Sequence, residues 1–597
     1  MTVLHTIADW RQAYADGIRP VELLPALVES LAATDAAWIW RAPARDVLAQ
    51  VAALPPRPDA STPLWGVPFA VKDNIDVAGI PTTGACPAFA YTPQRSAVAV
   101  ERLRAAGAIL VGKTNLDQFA TGLVGTRSPY GEVPNTFDAA YVSGGSSSGS
   151  ASVVARGLVP FALGTDTAGS GRVPAGFNNI VGLKPTPGSV PMTGVLPACR
   201  SLDVVSVLAL TVADAALVMA LFEGAAGEPR FNEPVLRPDW LGQGGRPPRL
   251  GVPALPGCDV ALGWDRAFDK ARERASALGA ELVEVDFEPL FEVARLLYEG
   301  PWVAERHLVV AGLLASSPQA IDPVVRGIMQ AADGLDGDAV FSGRYRLEQL
   351  RARIAPMWER VDALMVPTAV TCPTRAAVAA EPVKRNAELG LYTNFVNLLG
   401  LAALALPSRV SIDALPFGVT FIGPGGSDAA LVRWGLDWER AGPRTLGARL
   451  RETRAADRAP GRVPQSAKVL QLAVVGAHLE GMPLHGQLVE RGCRLVERTR
   501  TAAAYRLYSL PDTKPPKPGL ARATGTQPGA AIEVEVYEMP QDAVGSFLAL
   551  IPPPLGLGSV ELADGRWVKG FICEPHALAG ALDITRHGGW RAWLESR

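Results

Sequence analysis

A chain of 597 residues that is 48% hydrophobic and 19% charged has volume for a large buried core and more than one domain, which excludes a disordered protein. A formal net charge of −2 gives no electrostatic footprint for nucleic acid or an anionic membrane surface, and neither is expected as a partner. The longest apolar run, near 398–406, is too short to cross a bilayer, and the opening MTVLHTIADWRQAYADG lacks a basic segment followed by an apolar core. A cytoplasmic protein without a signal peptide is therefore expected. The six cysteines are scattered with no CxxC pair, which fits reduced thiols, and no metal or cofactor is expected.

In chain order, Val21, Leu23, Leu24, Leu27 and Val28 recur at helical spacing, with Pro20 suited to a first turn. After the Leu54-Pro55-Pro56 break, residues 64–71 read as a strand that delivers Lys72 at its end. A helix is predicted over 98–106 and a strand over 108–111, and the rhythm returns as a helix at 148–155 and a strand at 159–164. This alternation predicts an α/β fold whose mixed or parallel sheet is sandwiched by helices, with sites at the strand ends. Further on, 363–367 predicts a buried strand and 395–406 a buried helix. A linker is expected over 443–466, between a large domain at 1–442 and a smaller β-rich domain at 467–597. In that second domain, strands are predicted at 469–475 and 533–537, and a hairpin around Asp564-Gly565.

The chemistry concentrates in 141–174, where two serine-and-glycine loops, 144–149 and 165–171, flank the helix and strand just described. Glycine permits close approach and positive φ, so such loops can aim amides at one point, and serines at their centres suggest a hydroxyl nucleophile beside an oxyanion hole. A pair of solvated turns is the simpler alternative. It is disfavoured because the loops bracket an αβ unit that leaves no room for a flexible linker. Of six histidines only His5 and His307 precede residue 440, so a Ser-His-Asp triad in the large domain would have to use one of these. Residues 145–149 satisfy G-x-S-x-G, but no apolar strand run leads directly into them to form a nucleophile elbow. No Ser-x-x-Lys occurs anywhere.

The two loops, preceded by Gly66-Val67-Pro68-Phe69-Ala70-Val71-Lys72-Asp73-Asn74, resemble the amidase signature family, with all three motifs in the right order. The resemblance implies a Ser–cis-Ser–Lys triad: Ser170 as nucleophile, Ser146 as the bridging serine after a cis peptide, and Lys72 as base. The N–H groups of Thr167, Ala168, Gly169 and Ser170 would form the oxyanion hole, with Asp166, Ser147 and Arg172 bracing the loops. Ala168 and Gly171 depart from the family pattern, which bears on the shape of the nucleophile loop. A lysine ordinarily titrates at about 10.4, so Lys72 would have to be held neutral by burial. On the residues alone, pairing with Asp73 or Asp76, which would keep it charged, is an equal alternative.

Blocks at 121–131, 297–306, 392–399, 475–484, 504–508 and 588–591 extend the resemblance over nearly the whole chain, to the allophanate hydrolase branch of that family. This branch implies cleavage of allophanate, a urea carrying a carboxylate, to ammonia and carbon dioxide. Arg306 would be the carboxylate fork, Tyr298 a phenol donor and Gly122 part of the pocket lining. Composition alone favours a different role for Arg306, an ion pair with Glu305 or Glu299. The second domain would have a γ-glutamyl-cyclotransferase-like fold, with His478, and less so His485, as the candidate group in decarboxylating N-carboxycarbamate. The branch further implies a homodimer fed by a separate urea carboxylase or a cyanuric acid pathway. The alternatives are a broader small-amide amidase whose second domain serves only assembly, and a transamidase component, which the extra domain disfavours.

Overall fold

The structure, a computed structural model, describes the chain except for residues 1–3, 32–34, 225–236, 238–239, 243–245, 410–414, 443, 449, 455–456, 458–468, 492, 512, 514, 525–526 and 597. It divides into two units, Met1–Pro464 and Gln465–Arg597.

In the first unit the described residues contribute eleven strands to one mixed sheet. These are β1 (Trp38–Arg41), β2 (Pro68–Lys72), β3 (Ile109–Thr114), β4 (Phe161–Asp166), β5 (Val181–Lys184), β6 (Val204–Ala209), β7 (Arg249–Pro253), β8 (Glu281–Val285), β9 (Ala363–Pro367), β10 (Ala402–Arg409) and β11 (Phe417–Gly423). Their order is β1-β3-β2-β4-β6-β5-β10-β11-β9-β7-β8. The strands β2, β3 and β4 run parallel, with β2 between the other two and Lys72 in register with Thr114. Every residue of β2, β3 and β4 is buried, the near-continuous apolar run expected of strands covered on both faces. The ends of these three strands therefore lie together, and Lys72, Thr114 and Asp166 stand at one edge of the sheet.

The helix Ser148–Ala155 is buried along its whole length, which explains its small residues: Ser, Gly and Ala leave room for the sheet beneath. The helix Pro20–Ser30 begins on Pro20 as predicted, because proline lacks only an N–H that the first turn does not use. The expectation of one buried helix over 395–406 is corrected. The helix spans only Phe395–Leu398, Gly400 turns the chain at φ +70°, and the remaining apolar run enters β10. Short buried runs of this kind carry no periodicity that separates helix from strand. Within the stretch expected as a linker, Asn179 Nδ2 donates to the Thr445 and Gly447 carbonyls, and Arg451 pairs with Asp9 and Asp457. These residues are thus fastened to the first unit; 458–466 lie outside the described residues.

The second unit holds a five-stranded sheet, ordered β13-β16-β12-β18-β17, and a three-stranded sheet, β15-β14-β19. The strands are β12 (Val469–Val474), β13 (Arg494–Arg500), β14 (Tyr505–Ser509), β15 (Pro518–Arg522), β16 (Glu533–Pro540), β17 (Leu555–Glu561), β18 (Trp567–Cys573) and β19 (Leu582–Asp583). The predicted hairpin joins β17 to β18, closed by Leu562 N–H donating to the Arg566 carbonyl at 2.8 Å around Gly565 at φ +84°. All six cysteines are free. Among the described residues no helix is long and apolar enough to cross a membrane, and no cluster of His, Cys, Asp and Glu could hold a metal.

Candidate active site

Lys72 ends β2 and is fully buried. Its Nζ lies 2.7 Å from Ser146 Oγ and 2.8 Å from Thr165 Oγ1, so its two close partners are hydroxyls. Asn74 Nδ2 donates to the same Thr165 oxygen at 3.2 Å. Burial pulls the lysine down to about 7, against the more distant carboxylates of Asp117, Asp166 and Asp203, which push the other way. The alternative of a charged Lys72–Asp73 pair is not what the fold builds. Asp73 turns to Lys113, 3.0 Å away, and accepts from the N–H and hydroxyl of Thr83. Asp76 is taken by Thr82 and Tyr91.

The Gly145–Ser146 peptide is cis. The two serine loops are tied to each other, since Ser147 N–H donates to the Ser170 carbonyl at 3.2 Å. Both Ser146 and Ser170 are buried. Asp166 organises the second loop: it takes Gly169 N–H at 2.9 Å and Gly171 N–H at 3.0 Å, and receives a two-pronged contact from Arg172 Nε and Nη2 at 2.9 and 2.8 Å. Those bonds hold its carboxyl below the usual range in spite of burial, with the Arg172 charge the largest stabilising influence. The Gly169 amide is thereby occupied. Among the described residues the amides of Thr167, Ala168 and Ser170 have no such acceptor. Glycine is required at 169, where φ is +129° and a Cβ would sit 2.4 Å from Thr393 Oγ1. The Thr167 hydroxyl is bound by Asp203, a buried carboxyl pushed up to about 6, which also accepts from Ala198 and Cys199 N–H.

Arg306, in the helix Val303–Ser316, is wholly buried, and its guanidinium lies 5.1 Å over the ring of Tyr298. No carboxylate pairs with it among the described residues. Glu305, the partner that composition suggests, instead accepts from Ser201 N–H and hydroxyl. Arg306 Nη1 donates to Thr121 Oγ1 at 3.0 Å, while Nε and Nη2 have no hydrogen-bond partner. A buried cation with a vacant pair of donors is costly unless something fills them, so this edge is set for an anion. Tyr298 packs on the apolar cluster that contains Ala168 of the second serine loop, Cys199 and Trp302, which puts the two regions in one neighbourhood. Gly122 stands next to Thr121, and a Cβ there would meet Asp117 Oδ2 at 2.7 Å. The carboxylate of Asp117 gathers the amides of Val124, Gly125 and Arg127, while its own N–H donates to the Ser146 carbonyl at 3.2 Å.

Sequence reasoning missed Thr165, Asn74, Thr121, Asp117 and Asp203. Thr165, Asn74 and Thr121 carried a signal as members of quoted motifs and blocks; Asp117 and Asp203 lay outside them, and their bonds to backbone amides leave no pattern in the sequence.

In the second unit, His478 follows β12 and lines a pocket with Val475, Lys517, Ile551, Pro552 and Phe571. Its ring stacks on Phe571 at 5.0 Å, its Nε2 lies 2.9 Å from Gln487 Oε1, and burial lowers its pKa. His485 is instead set against the ring of Tyr537, 6.0 Å between centroids.

Residues 25–432 match the amidase family and residues 470–595 the allophanate hydrolase C-terminal domain. The chain belongs to the amidase family and carries an allophanate hydrolase C-terminal domain. It is 45% identical over 607 residues to the urea amidolyase of Saccharomyces cerevisiae, covering 99% of this chain and 33% of that protein. The chain thus spans about a third of the length of the urea amidolyases it matches. A solved allophanate hydrolase from Kluyveromyces lactis is 42% identical, with a TM-score of 0.79 over 100% of this chain and 99% of that one. A solved amidase is 30% identical, with a TM-score of 0.61 over 73% of this chain and 99% of that one.

Proposed function

We propose that this protein hydrolyses allophanate, with Ser170 as nucleophile, Ser146 as proton relay and Lys72 as base. The observation that carries the reading is the buried Lys72 amine, 2.7 Å from the serine of a cis peptide and depressed to about 7, so that a large neutral fraction exists at physiological pH. Neutral Lys72 draws the proton from Ser146 as Ser146 draws one from Ser170. The Ser170 oxygen then bonds to the terminal amide carbon, the C–N bond breaks, and ammonia leaves with a proton returned along the same chain. Water, activated by the same base, releases N-carboxycarbamate from the acyl-enzyme. The amides of Thr167, Ala168 and Ser170 would hold the oxyanion, with Gly169 serving instead to fix the loop through Asp166. The vacant Nε and Nη2 of Arg306 would take the substrate carboxylate beside the Tyr298 phenol and the Gly122 backbone.

The test is ammonia release from allophanate beside malonamide and a longer-chain amide. Turnover confined to allophanate and close mimics supports the reading; turnover of the longer amide but not allophanate replaces it with a general amidase. For the second unit, decarboxylation of N-carboxycarbamate at His478 is supported by the histidine's place in an apolar pocket. His478→Ala should let that intermediate accumulate while the first ammonia is still released. If it alters only the assembly, the unit serves oligomerisation. A homodimer, and supply of allophanate by a urea-carboxylating activity, belong to the same proposal.

A further inference from the structure

We infer that Thr121 is a positioning residue for substrate charge: it orients the Arg306 guanidinium so that one edge, Nε with Nη2, is presented to a carboxylate. This rests on the reading of Arg306 given above and adds the group that sets its geometry.

A guanidinium offers two side-on pairs of donors, and a carboxylate can seat on only one when the other is engaged. Thr121 is fully buried and accepts from Nη1 at 3.0 Å. The acceptor role is fixed by the rest of its bonding, because its single hydroxyl proton goes to the Phe119 carbonyl at 3.2 Å. An oxygen already committed as a donor to Phe119 meets Arg306 only through a lone pair. Nη1 therefore has its partner inside the protein, and the donors without one are the adjacent Nε and Nη2.

The chain reaches this arrangement through an unusual backbone. Phe119 and Ala120 both have left-handed φ, 52° and 53°, in a chain where glycine holds most such positions. The conformation is held by Phe119 N–H on the Gly84 carbonyl, Thr121 N–H on the Gln118 carbonyl, and Arg127 Nη1 on the Thr121 carbonyl at 3.1 Å. The Phe119 ring packs in a cluster with Val310, one turn along the helix from Arg306. Segment 119–121 and the Arg306 helix are thus locked to each other at two points, one apolar and one polar.

The experiment compares Thr121→Val, which keeps the branched shape and loses the hydroxyl, with Thr121→Ser, which keeps the hydroxyl, and with Arg306→Ala. Each full-length variant is assayed for KM and kcat on allophanate and for inhibition by malonamate, a stable amide bearing a carboxylate. The valine variant is expected to raise KM and the malonamate Ki by ~10-fold, the scale of one buried hydrogen bond to a charged group, with a much smaller fall in kcat. The serine variant should restore both constants to within about twofold of the parent. An unchanged Ki in Thr121→Val beside a raised Ki in Arg306→Ala overturns the Thr121 assignment alone. An equal loss in the valine and serine variants also overturns it, since that pattern reports packing. An unchanged Ki in Arg306→Ala overturns the carboxylate reading itself.

Discussion

Two lysines on neighbouring strands, both fully buried, have been given opposite environments. Lys72 at the end of β2 meets hydroxyls, Ser146 and Thr165. Lys113 on β3 meets a carboxylate, Asp73 at 3.0 Å, together with Thr82 Oγ1 and the Pro81 carbonyl. Burial lowers both, but Asp73 opposes that pull on Lys113 at close range, whereas the carboxylates that oppose it on Lys72 stand further off. Asp73 follows Lys72 directly in the chain yet serves Lys113. Asp73 lies just past the end of β2, where its N–H donates to the Thr114 carbonyl of β3, and its carboxylate reaches Lys113 on that strand. The charged pair fastens the strand ends together, and the lone amine is left free to exchange a proton.

The sharpest way to break this contrast is Lys72→Met. Turnover should fall by at least ~10³-fold, as for loss of a base in a triad, while the melting temperature holds or rises because a desolvated amine is replaced by a methionine of similar volume. A melting temperature lowered in step with activity would mean that Lys72 is structural. Next in size, Asp73→Asn leaves Lys113 buried without its counter-charge. Chemical denaturation should register a loss of about 3–5 kcal/mol, the usual result of removing one partner of a buried pair, and the double change with Lys113→Met should recover much of it. Smallest is the pH dependence. Only the neutral amine works as base, so kcat/KM should climb with pH up to about 7, where Lys72 titrates, and level off above it. A flat profile between pH 6 and 8 would place the essential base elsewhere.

The triad candidates were legible because each sits in a local motif whose glycines and serines have few other uses. The two serine-and-glycine loops could be pointed to from residue type and order, whereas Lys72, Ser146 and Ser170, like Arg306 and Tyr298, were assigned by resemblance. The partners could not. The choice between a charged and a neutral Lys72 depends on which face of the sheet each side chain takes and what the neighbouring strands bring there, and the sequence left Asp73, Asp76 and a neutral amine as open alternatives. Arg306 is the same case. Glu305 is adjacent in sequence but engages Ser201, while Thr121, 185 positions away, is the residue that bonds the guanidinium. In the fold, the strand at 363–367 and the helix at 148–155 were read to the residue, because turn signals bound them. The run 395–406 was misread since its only internal break is Gly400.

The carboxylate of Asp117 holds three amides of segment 124–127, and both Gly122 and Gly145 press against it, so closely that a Cβ would lie 2.7 and 2.0 Å from Oδ2. One anchor thus serves both the segment that follows Thr121 and the loop that carries Ser146. Segment 124–127 and the Ser146 loop are therefore closed to independent redesign, since a side chain at either glycine displaces the shared carboxylate and both segments with it.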